Sequence, residues 1–132
     1  MGQAENNPVG FAGEIGVAFV DLDPDQAEAR IAVEPRHLQP FGIVHGGVYA
    51  ALAESLCSAA THHAVRGDDM VAMGQSNDTT FLRPIGEGTI TAAARTRHRG
   101  RTTWIWDVEM SNDEGRVCAL SRMTVAVRPR RG

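Results

Sequence analysis

Apolar and polar residues alternate along most of the chain, with one long interruption in the middle. Alternation over Ile15–Asp23 and Ala27–Glu34, separated by turn residues 23–26, predicts a β-hairpin. After the interruption, alternation predicts four more strands, at Met70–Leu82, Thr89–Arg99, Thr102–Met110 and Val117–Val127. The short connections 99–102 and 112–115 make the last three strands antiparallel neighbours.

The interruption is a single helical stretch, predicted over Gly47–Arg66 with Gly67 as its C-cap. It is rich in alanine, and small or apolar residues occur nearly all round, which is typical of a buried helix. Residues 35–45 contain two prolines and read as a loop. The pattern therefore predicts an α+β fold, with one long central helix wrapped by a curved antiparallel sheet of about six strands.

The size and composition favour one globular domain. A chain of 132 residues is long enough for a single core, so we assign residues 14–128 to the domain, 1–13 to a flexible arm and 129–132 to a tail. No apolar run approaches the length of a membrane span, and the N-terminus is polar. Cys57 and Cys118 lie in different predicted elements, unlike a secreted disulfide framework. We therefore expect a cytoplasmic protein with no membrane partner.

Charge restricts the chemistry further. The chain contains no lysine, which excludes a Schiff-base lysine and a P-loop lysine. Residues 1–94 hold four arginines against twelve acidic residues, whereas residues 95–132 hold nine against four. Arginine suits phosphate recognition, and codon bias also explains the choice of arginine over lysine. A pI near 5.9 argues against a nucleic-acid partner, so a phosphate-bearing small ligand is the open possibility.

Glu54 is the one carboxylate in the predicted helix. A carboxylate in such a setting is expected to be paired, metal-bound or functional, unless it points out through a thin side of the helix. Gly47 and Ala51 before it and Ser58 after it share one helical face, where small side chains leave room for a ligand. For Ser58 the alternative is a bond back to the carbonyl four residues earlier.

The helix is preceded by Phe-Gly-Ile-Val-His-Gly-Gly over residues 41–47. Gly46 and Gly47 would let a ligand approach backbone N–H groups at the positive end of the helix dipole, where a developing oxyanion can be held. Tight packing at the helix entry is the alternative explanation of the glycines. His45 beside them could be a base, a ligand or a structural hydrogen bonder.

These residues resemble a known family signature. Gln-Pro-Phe-Gly-Ile-Val-His-Gly-Gly over 39–47, followed by Leu52-Ala53-Glu54-Ser55 and Ser58, is similar to the motif of hotdog-fold acyl-CoA thioesterases. The most similar branch contains the Arthrobacter-type 4-hydroxybenzoyl-CoA, phenylacetate-pathway and 1,4-dihydroxy-2-naphthoyl-CoA thioesterases. Thr-Phe-Leu-Arg-Pro over 80–84 and Gly-Arg-Val-Cys-Ala over 115–119 extend the resemblance, which covers roughly residues 14–128.

The resemblance implies hydrolysis of an acyl- or aroyl-CoA to the free acid and coenzyme A, with no cofactor because coenzyme A is part of the substrate. Glu54 would act as nucleophile or general base, and the Gly46 N–H would polarise the thioester carbonyl. The Gln39 amide would assist at that carbonyl or orient the leaving thiolate, and Ser58, where the branch often has threonine, would place the hydrolytic water. Gln39 and Gly46 would come from one subunit and Glu54 from its neighbour, which implies a homodimer or homotetramer.

In that family the nucleotide of coenzyme A lies near strand ends, held by basic and hydroxyl side chains. Gly47 and the following residues are the matching binding candidates here: Arg83, Arg101, Thr102, Thr103, Arg128, Arg130 and Arg131. Three further arginines share one strand face and are predicted to form solvated outer surface: Arg95, Arg97 and Arg99.

Other constellations carry less weight. Cys57 with His62 or His63 could form a nucleophile pair, but an apolar setting keeps a thiol protonated, so we predict core cysteines at 57 and 118. The chain has no HExxH, CxxC or EF-hand pattern, so no metal is expected. Trp104 and Trp106 share an apolar strand face and are predicted to be core.

Two other functions stay open. A hotdog enoyl-CoA hydratase or dehydratase pairs a histidine with a carboxylate, which His45 and Glu54 could imitate, although the usual His-Phe-Pro loop is absent. A non-catalytic acyl-CoA-binding module would typically lack the carboxylate that is present here.

Overall fold

The alternating segments form six strands in the structure, a computed structural model that describes residues 8–131. The strands are β1 (Ala18–Leu22), β2 (Gln26–Ala32), β3 (Met70–Phe81), β4 (Thr89–Arg99), β5 (Thr103–Ser111) and β6 (Val117–Pro129). They pair antiparallel in one sheet, in the order β1-β2-β4-β5-β6-β3. The predicted hairpin and the predicted antiparallel run of the last three strands are confirmed.

Within residues 8–131, two α-helices accompany the sheet: α1 (Phe11–Glu14) and the long α2 (Gly46–Val65). Of the predicted arm, residues 1–7 lie outside the described residues, and α1 forms its C-terminal end. Of the predicted tail, Pro129 still belongs to β6, and residue 132 lies outside the described residues. No helix described between residues 8 and 131 has the length and apolar character to cross a membrane.

The predicted C-cap of the long helix is wrong. After α2 the chain continues into a 3-10 turn, Arg66–Asp68, and the left-handed residue is Asp69 at φ 59°, not Gly67. Aspartate tolerates this conformation better than most residues because its short polar side chain can hydrogen-bond locally. The α-helix therefore ends one residue before the predicted Arg66, and the left-handed residue comes two residues after the predicted Gly67.

The core lies between α2 and the inner face of the sheet. Leu52 and Leu56 of the helix and Trp106 of β5 are fully buried there, which confirms the prediction for the tryptophans, since Trp104 is buried as well. The Trp106 indole Nε1–H donates to Thr61 Oγ1 at 2.9 Å, and Thr61 donates to the Cys57 carbonyl at 2.7 Å. Helix and sheet are thus joined by one buried hydrogen bond within an apolar layer.

The helix is not buried all round, contrary to the prediction. Leu52, Leu56 and Cys57 are buried, whereas Gly47 and Glu54 are exposed in the single chain. Strand β3, against which this face lies, is an edge strand, since β6 is its only neighbour in the part of the chain that the structure describes. The exposed helix face and the open edge of β3 therefore form one continuous surface.

A β-bulge changes which residues of β3 face the helix. Pairing with β6 slips by one residue between Gly74, opposite Val125, and Ser76, opposite Thr124. Val125 points into the core, and the next inward residue of β6 is Met123, which pairs with Asn77. The extra residue Gln75 thus reverses the alternation, and the inward positions beyond it are Asn77, Thr79 and Phe81.

Candidate functional site

A tight turn precedes α2 and holds the glutamine of the signature. The Gln39 N–H donates to the Ile43 carbonyl at 2.8 Å, and the Gln39 carbonyl accepts from the Gly42 N–H at 2.9 Å. Gly42 has φ 82°, a conformation that favours glycine. The His45 N–H donates to the carbonyl of buried His37, which anchors the end of the turn. The Gln39 side chain is half-buried at this end of the helix.

His45 caps the helix. Its Nδ1 accepts from the Gly47 N–H at 2.8 Å, so in the neutral ring the proton is on Nε2. The Gly47 N–H is therefore already bonded, whereas the Gly46 N–H has no acceptor within residues 8–131. Of the two glycines proposed from the sequence, Gly46 is the one with an open donor at the positive end of the dipole.

Phe81 covers the start of the helix beside this donor. A Cβ on Gly46 would lie 2.7 Å from Phe81 Cζ, so close packing of the ring requires a glycine there. The Phe81 ring also packs against Tyr49, with 5.9 Å between centroids. Burial raises the pKa of Tyr49 to about 12, which keeps its hydroxyl neutral. The Thr-Phe-Leu-Arg-Pro motif thus supplies an aromatic wall next to the open N–H.

Glu54 lies against the bulge of β3. A Cβ on Gly74 would be 3.0 Å from Glu54 Oε2, and the carboxylate is otherwise exposed in the single chain. In the single chain the structure therefore matches the alternative left open by the sequence, a glutamate that points out of the helix, because β3 covers this helix face on one side. Ser58 does not bond back to the helix backbone, and its buried Oγ has no hydrogen-bond partner within the described part of the chain.

The predicted catalytic residues form two groups. Gln39, His45 and Gly46 lie at the helix start, whereas Glu54 and Ser58 lie further along the same helix. Gly46 and Glu54 are eight residues apart, which on an α-helix is about 12 Å. A carbonyl attacked by a carboxylate and polarised by an N–H must lie about 3 Å from both groups. One chain therefore does not bring the two groups together.

The residues predicted to contact the phosphates of coenzyme A also form two groups, at opposite ends of β6. The Arg83 N–H donates to the Cys118 carbonyl, near the start of β6, whereas Arg128 Nη1 donates to the Thr102 carbonyl at 2.7 Å near its end. Ten residues of β6 separate these points, a distance of about 33 Å. Arg101 and Thr103 lie near Thr102, and Arg130 pairs with Asp69 at 3.5 Å at the same end. Of these candidates, Arg83 is thus the one that lies near the start of α2, where Gly46 is.

The remaining candidates have structural roles. Arg95 and Arg97 lie on the outer face of β4 as predicted, where Arg95 is exposed and Arg97 pairs with Asp107 at 3.4 Å. The prediction is wrong for Arg99, because a β-bulge between Thr96 and His98 reverses the alternation and places Arg99 opposite the buried Trp104, over whose ring it lies. Burial raises the pKa of the Cys57 thiol, which argues against a nucleophilic thiolate. No group of three metal-ligating side chains occurs among residues 8–131.

Comparison with known proteins gives the family. A family model described as the thioesterase superfamily matches residues 41–119. The 1,4-dihydroxy-2-naphthoyl-CoA hydrolase of Escherichia coli (strain K12) is 33% identical over 123 residues, covering 93% of this chain and 88% of that protein. This chain belongs to the thioesterase superfamily. A crystal structure of mutant thioesterase PA1618 from Pseudomonas aeruginosa agrees, with a TM-score of 0.85 and 36% identity over 89% of this chain and 85% of that chain.

Thioesterase HI1161 from Haemophilus influenzae is a further structural relative, with a TM-score of 0.84 and 31% identity over 89% of this chain and 82% of that chain. The long helix and the six-stranded curved sheet of the present chain are accordingly the hotdog fold, as the signature implied. The chain is a thioester hydrolase, and this class assignment favours hydrolysis over the hydratase alternative.

Proposed function

We propose that this thioesterase hydrolyses acyl-CoA esters, aroyl-CoA esters among them, at a site shared by two subunits. One observation carries the proposal: α2 presents an open Gly46 N–H and an exposed Glu54 carboxylate about 12 Å apart. Each group suits thioester hydrolysis, and the distance requires that they act on different substrates or in different chains. The expected cytoplasmic location agrees with a coenzyme A ester as substrate.

The edge strand β3 supplies the means of assembly. No strand within residues 8–131 pairs with its outer edge, and large exposed apolar side chains occur on β3 at Met73 and Phe81 and directly after it at Leu82. Antiparallel pairing of two β3 strands about a two-fold axis would place the Met70 end of one against the Phe81 end of the other. Glu54 of one subunit, seated at Gly74, would then approach Gly46 of the other.

The chemistry needs only these groups and water. The Gly46 N–H and the Gln39 amide would donate to the carbonyl oxygen as it gains negative charge. Glu54 would either attack the carbonyl carbon, giving an anhydride that water opens, or take a proton from an attacking water. Either route breaks the C–S bond and releases the thiolate of coenzyme A, which is then protonated. The Ser58 hydroxyl, which has no hydrogen-bond partner among residues 8–131, would hold the water.

The same arrangement would unite the two basic ends. In an antiparallel β3 pair, the end of one subunit that carries Thr102 and Arg128 comes to the end of the other that carries Arg83. Phosphate groups of one coenzyme A would then be met by arginines of both subunits. This explains why residues 33 Å apart along β6, as estimated from strand rise, both match a nucleotide site.

A thiol-release screen tests the proposal. The relative named 1,4-dihydroxy-2-naphthoyl-CoA hydrolase makes that ester the first probe, followed by benzoyl-, phenylacetyl- and medium-chain acyl-CoA. We expect free coenzyme A from at least one ester, with a thiol reagent as readout. Tight binding of these esters without thiol release would instead indicate a binding module, and hydration of an enoyl-CoA without thiol release would indicate a hydratase.

A further inference from the structure

The seat of the Glu54 carboxylate is built by strand β3. We propose that Gly74 and Asn77 are positioning residues, which hold the helical turn of Glu54 and leave space for its carboxylate. The inference rests on the proposed role of Glu54, and it concerns two residues outside the thioesterase signature.

Gly74 is the floor under the carboxylate. An added Cβ would lie 3.0 Å from Oε2, 3.1 Å from Cδ and 3.2 Å from Cγ of Glu54, tighter than side chains normally pack. Gly74 does not have a positive φ, so its backbone does not require glycine. The space that an alanine would fill is therefore the feature that distinguishes this position.

The bulge makes Gly74 and Asn77 act on the same helical turn. In a regular strand, residues three apart point to opposite faces. The extra residue Gln75 restores them to one face, because Gly74 pairs with Val125 and Asn77 pairs with Met123, both inward positions of β6. Bulges re-aim side chains in this way near functional sites.

Asn77 fixes the turn itself. Its Nδ2–H donates to the Ala50 carbonyl at 2.9 Å, and Ala50 is four residues before Glu54, so that carbonyl is the helical acceptor of the Glu54 N–H. Asn77 Oδ1 accepts from Thr79 Oγ1 at 2.7 Å. Ser121 lies 2.6 Å from Thr79 and must donate, because the single Thr79 proton is used. A polar chain thus runs from β6 through β3 to this turn.

The decisive variant is Gly74→Ala. The atoms that it meets are the flexible tip of an exposed glutamate, which can rotate away without disturbing the core. We therefore expect an unchanged Tm and oligomeric mass, an unchanged KM and a kcat lowered about 10- to 100-fold, because a misplacement of about 1 Å costs on that order. The matched control is Gly67→Ala, where a Cβ meets nothing within 4 Å, and which should keep the wild-type kcat.

A double-mutant cycle separates positioning from a structural effect. Glu54→Ala removes all three side-chain atoms that a Cβ at residue 74 would contact. Gly74→Ala should therefore leave the residual thiol-release rate of Glu54→Ala unchanged, whereas it lowers the wild-type kcat. Asn77→Asp, which keeps the shape but removes the N–H donor, should also lower kcat at unchanged KM.

The outcomes distinguish this inference from the proposed function. All assays use the coenzyme A ester that turns over fastest in the screen. If Glu54→Gln keeps turnover, the proposed role of Glu54 is wrong. If Glu54→Gln loses turnover but Gly74→Ala keeps the wild-type kcat, only the positioning role is overturned. A kcat loss in Gly74→Ala that comes with a lower Tm or a lower oligomeric mass would equally overturn it.

Discussion

Two inactive variants damaged in different halves of the site should regain activity when they are mixed. Gln39→Ala removes the amide at the start of α2, and Glu54→Gln removes the carboxylate further along the helix. Gly46 and Glu54 are about 12 Å apart on one helix, and in the proposed shared site these groups come from two chains. A mixed dimer therefore contains one site with both damaged groups and one site with neither.

The size of the effect follows from this geometry. Equal amounts of the two variants, fully exchanged, form about half mixed dimers, and each has one intact site of two, so activity should reach about one quarter of the wild-type value. The assay is thiol release from the fastest ester, before and after subunit exchange, with exchange verified by native mass spectrometry. As a control, Glu54→Gln mixed with Ser58→Ala places both lesions in the same half and should give only the average of the two variants.

A site shared between two chains is excluded if the exchanged mixture of Gln39→Ala and Glu54→Gln also stays at the average of its components. That result would mean that each chain holds a complete site, and that the separation along α2 is bridged by a rearrangement within one chain. An unexchanged mixture has no bearing on the result, because it contains no mixed dimers.

Three further predictions concern stability and substrate binding. Thr61→Val leaves the buried Trp106 Nε1–H without an acceptor and should lower the free energy of unfolding by about 1–3 kcal/mol, measured by urea titration. Thr61→Ser keeps the hydroxyl and should lose less; equal losses for the two variants would contradict this. Burial raises the pKa of the Cys57 thiol, so above pH about 8.5 the unfolded state binds fewer protons than the folded state, and stability should fall with rising pH, by at most about 1.4 kcal/mol per pH unit. Urea titrations at rising pH check this fall, and a slope unaffected by Cys57→Ala would contradict the assignment. Arg83→Ala and Arg128→Ala should each raise KM for a coenzyme A ester but not for the matching pantetheine ester, which lacks the nucleotide. If a variant raises KM equally for the two esters, its arginine does not contact the phosphates.

The sequence predicted those strands in which apolar and polar residues alternate regularly, because the alternation shows which side chains face the core. In β5, Trp106, Val108 and Met110 alternate with polar residues, and all three are buried. The glycines before the helix and the carboxylate within it were found from residue type and spacing, because an open N–H and a carboxylate are local features. The family signature then gave each residue an expected role.

Strand β3 shows what the sequence could not reveal. Between Gly74 and Thr80 its side chains are polar or absent, so there is no alternation of apolar and polar residues whose reversal would reveal the bulge at Gln75. Its place beside β6 rather than beside a sequence neighbour is a long-range pairing without a local signal. Gly74 and Asn77 were missed for this reason, since their importance depends on the helix that crosses them.

The exposure of the helix face that carries Glu54 was missed for a different reason. An alanine-rich helix predicts burial, but alanine is compatible with both a packed face and an open one. The sheet decides which face of the helix stays open, because its edge strand β3 passes beside Glu54 and no further strand of the described chain covers the glutamate. The proposed second subunit would cover that face, and the helix composition then fits the assembled enzyme better than the single chain.

The most direct test of the central claim is the single-turnover rate of Glu54→Gln on the fastest coenzyme A ester. We expect thiol release by Glu54→Gln to be no faster than the uncatalysed reaction, with unchanged Tm and oligomeric mass. The control Glu109→Gln, which changes an exposed glutamate on β5, should keep the wild-type rate. Wild-type thiol release by Glu54→Gln would contradict the assignment of the carboxylate as the group that drives hydrolysis.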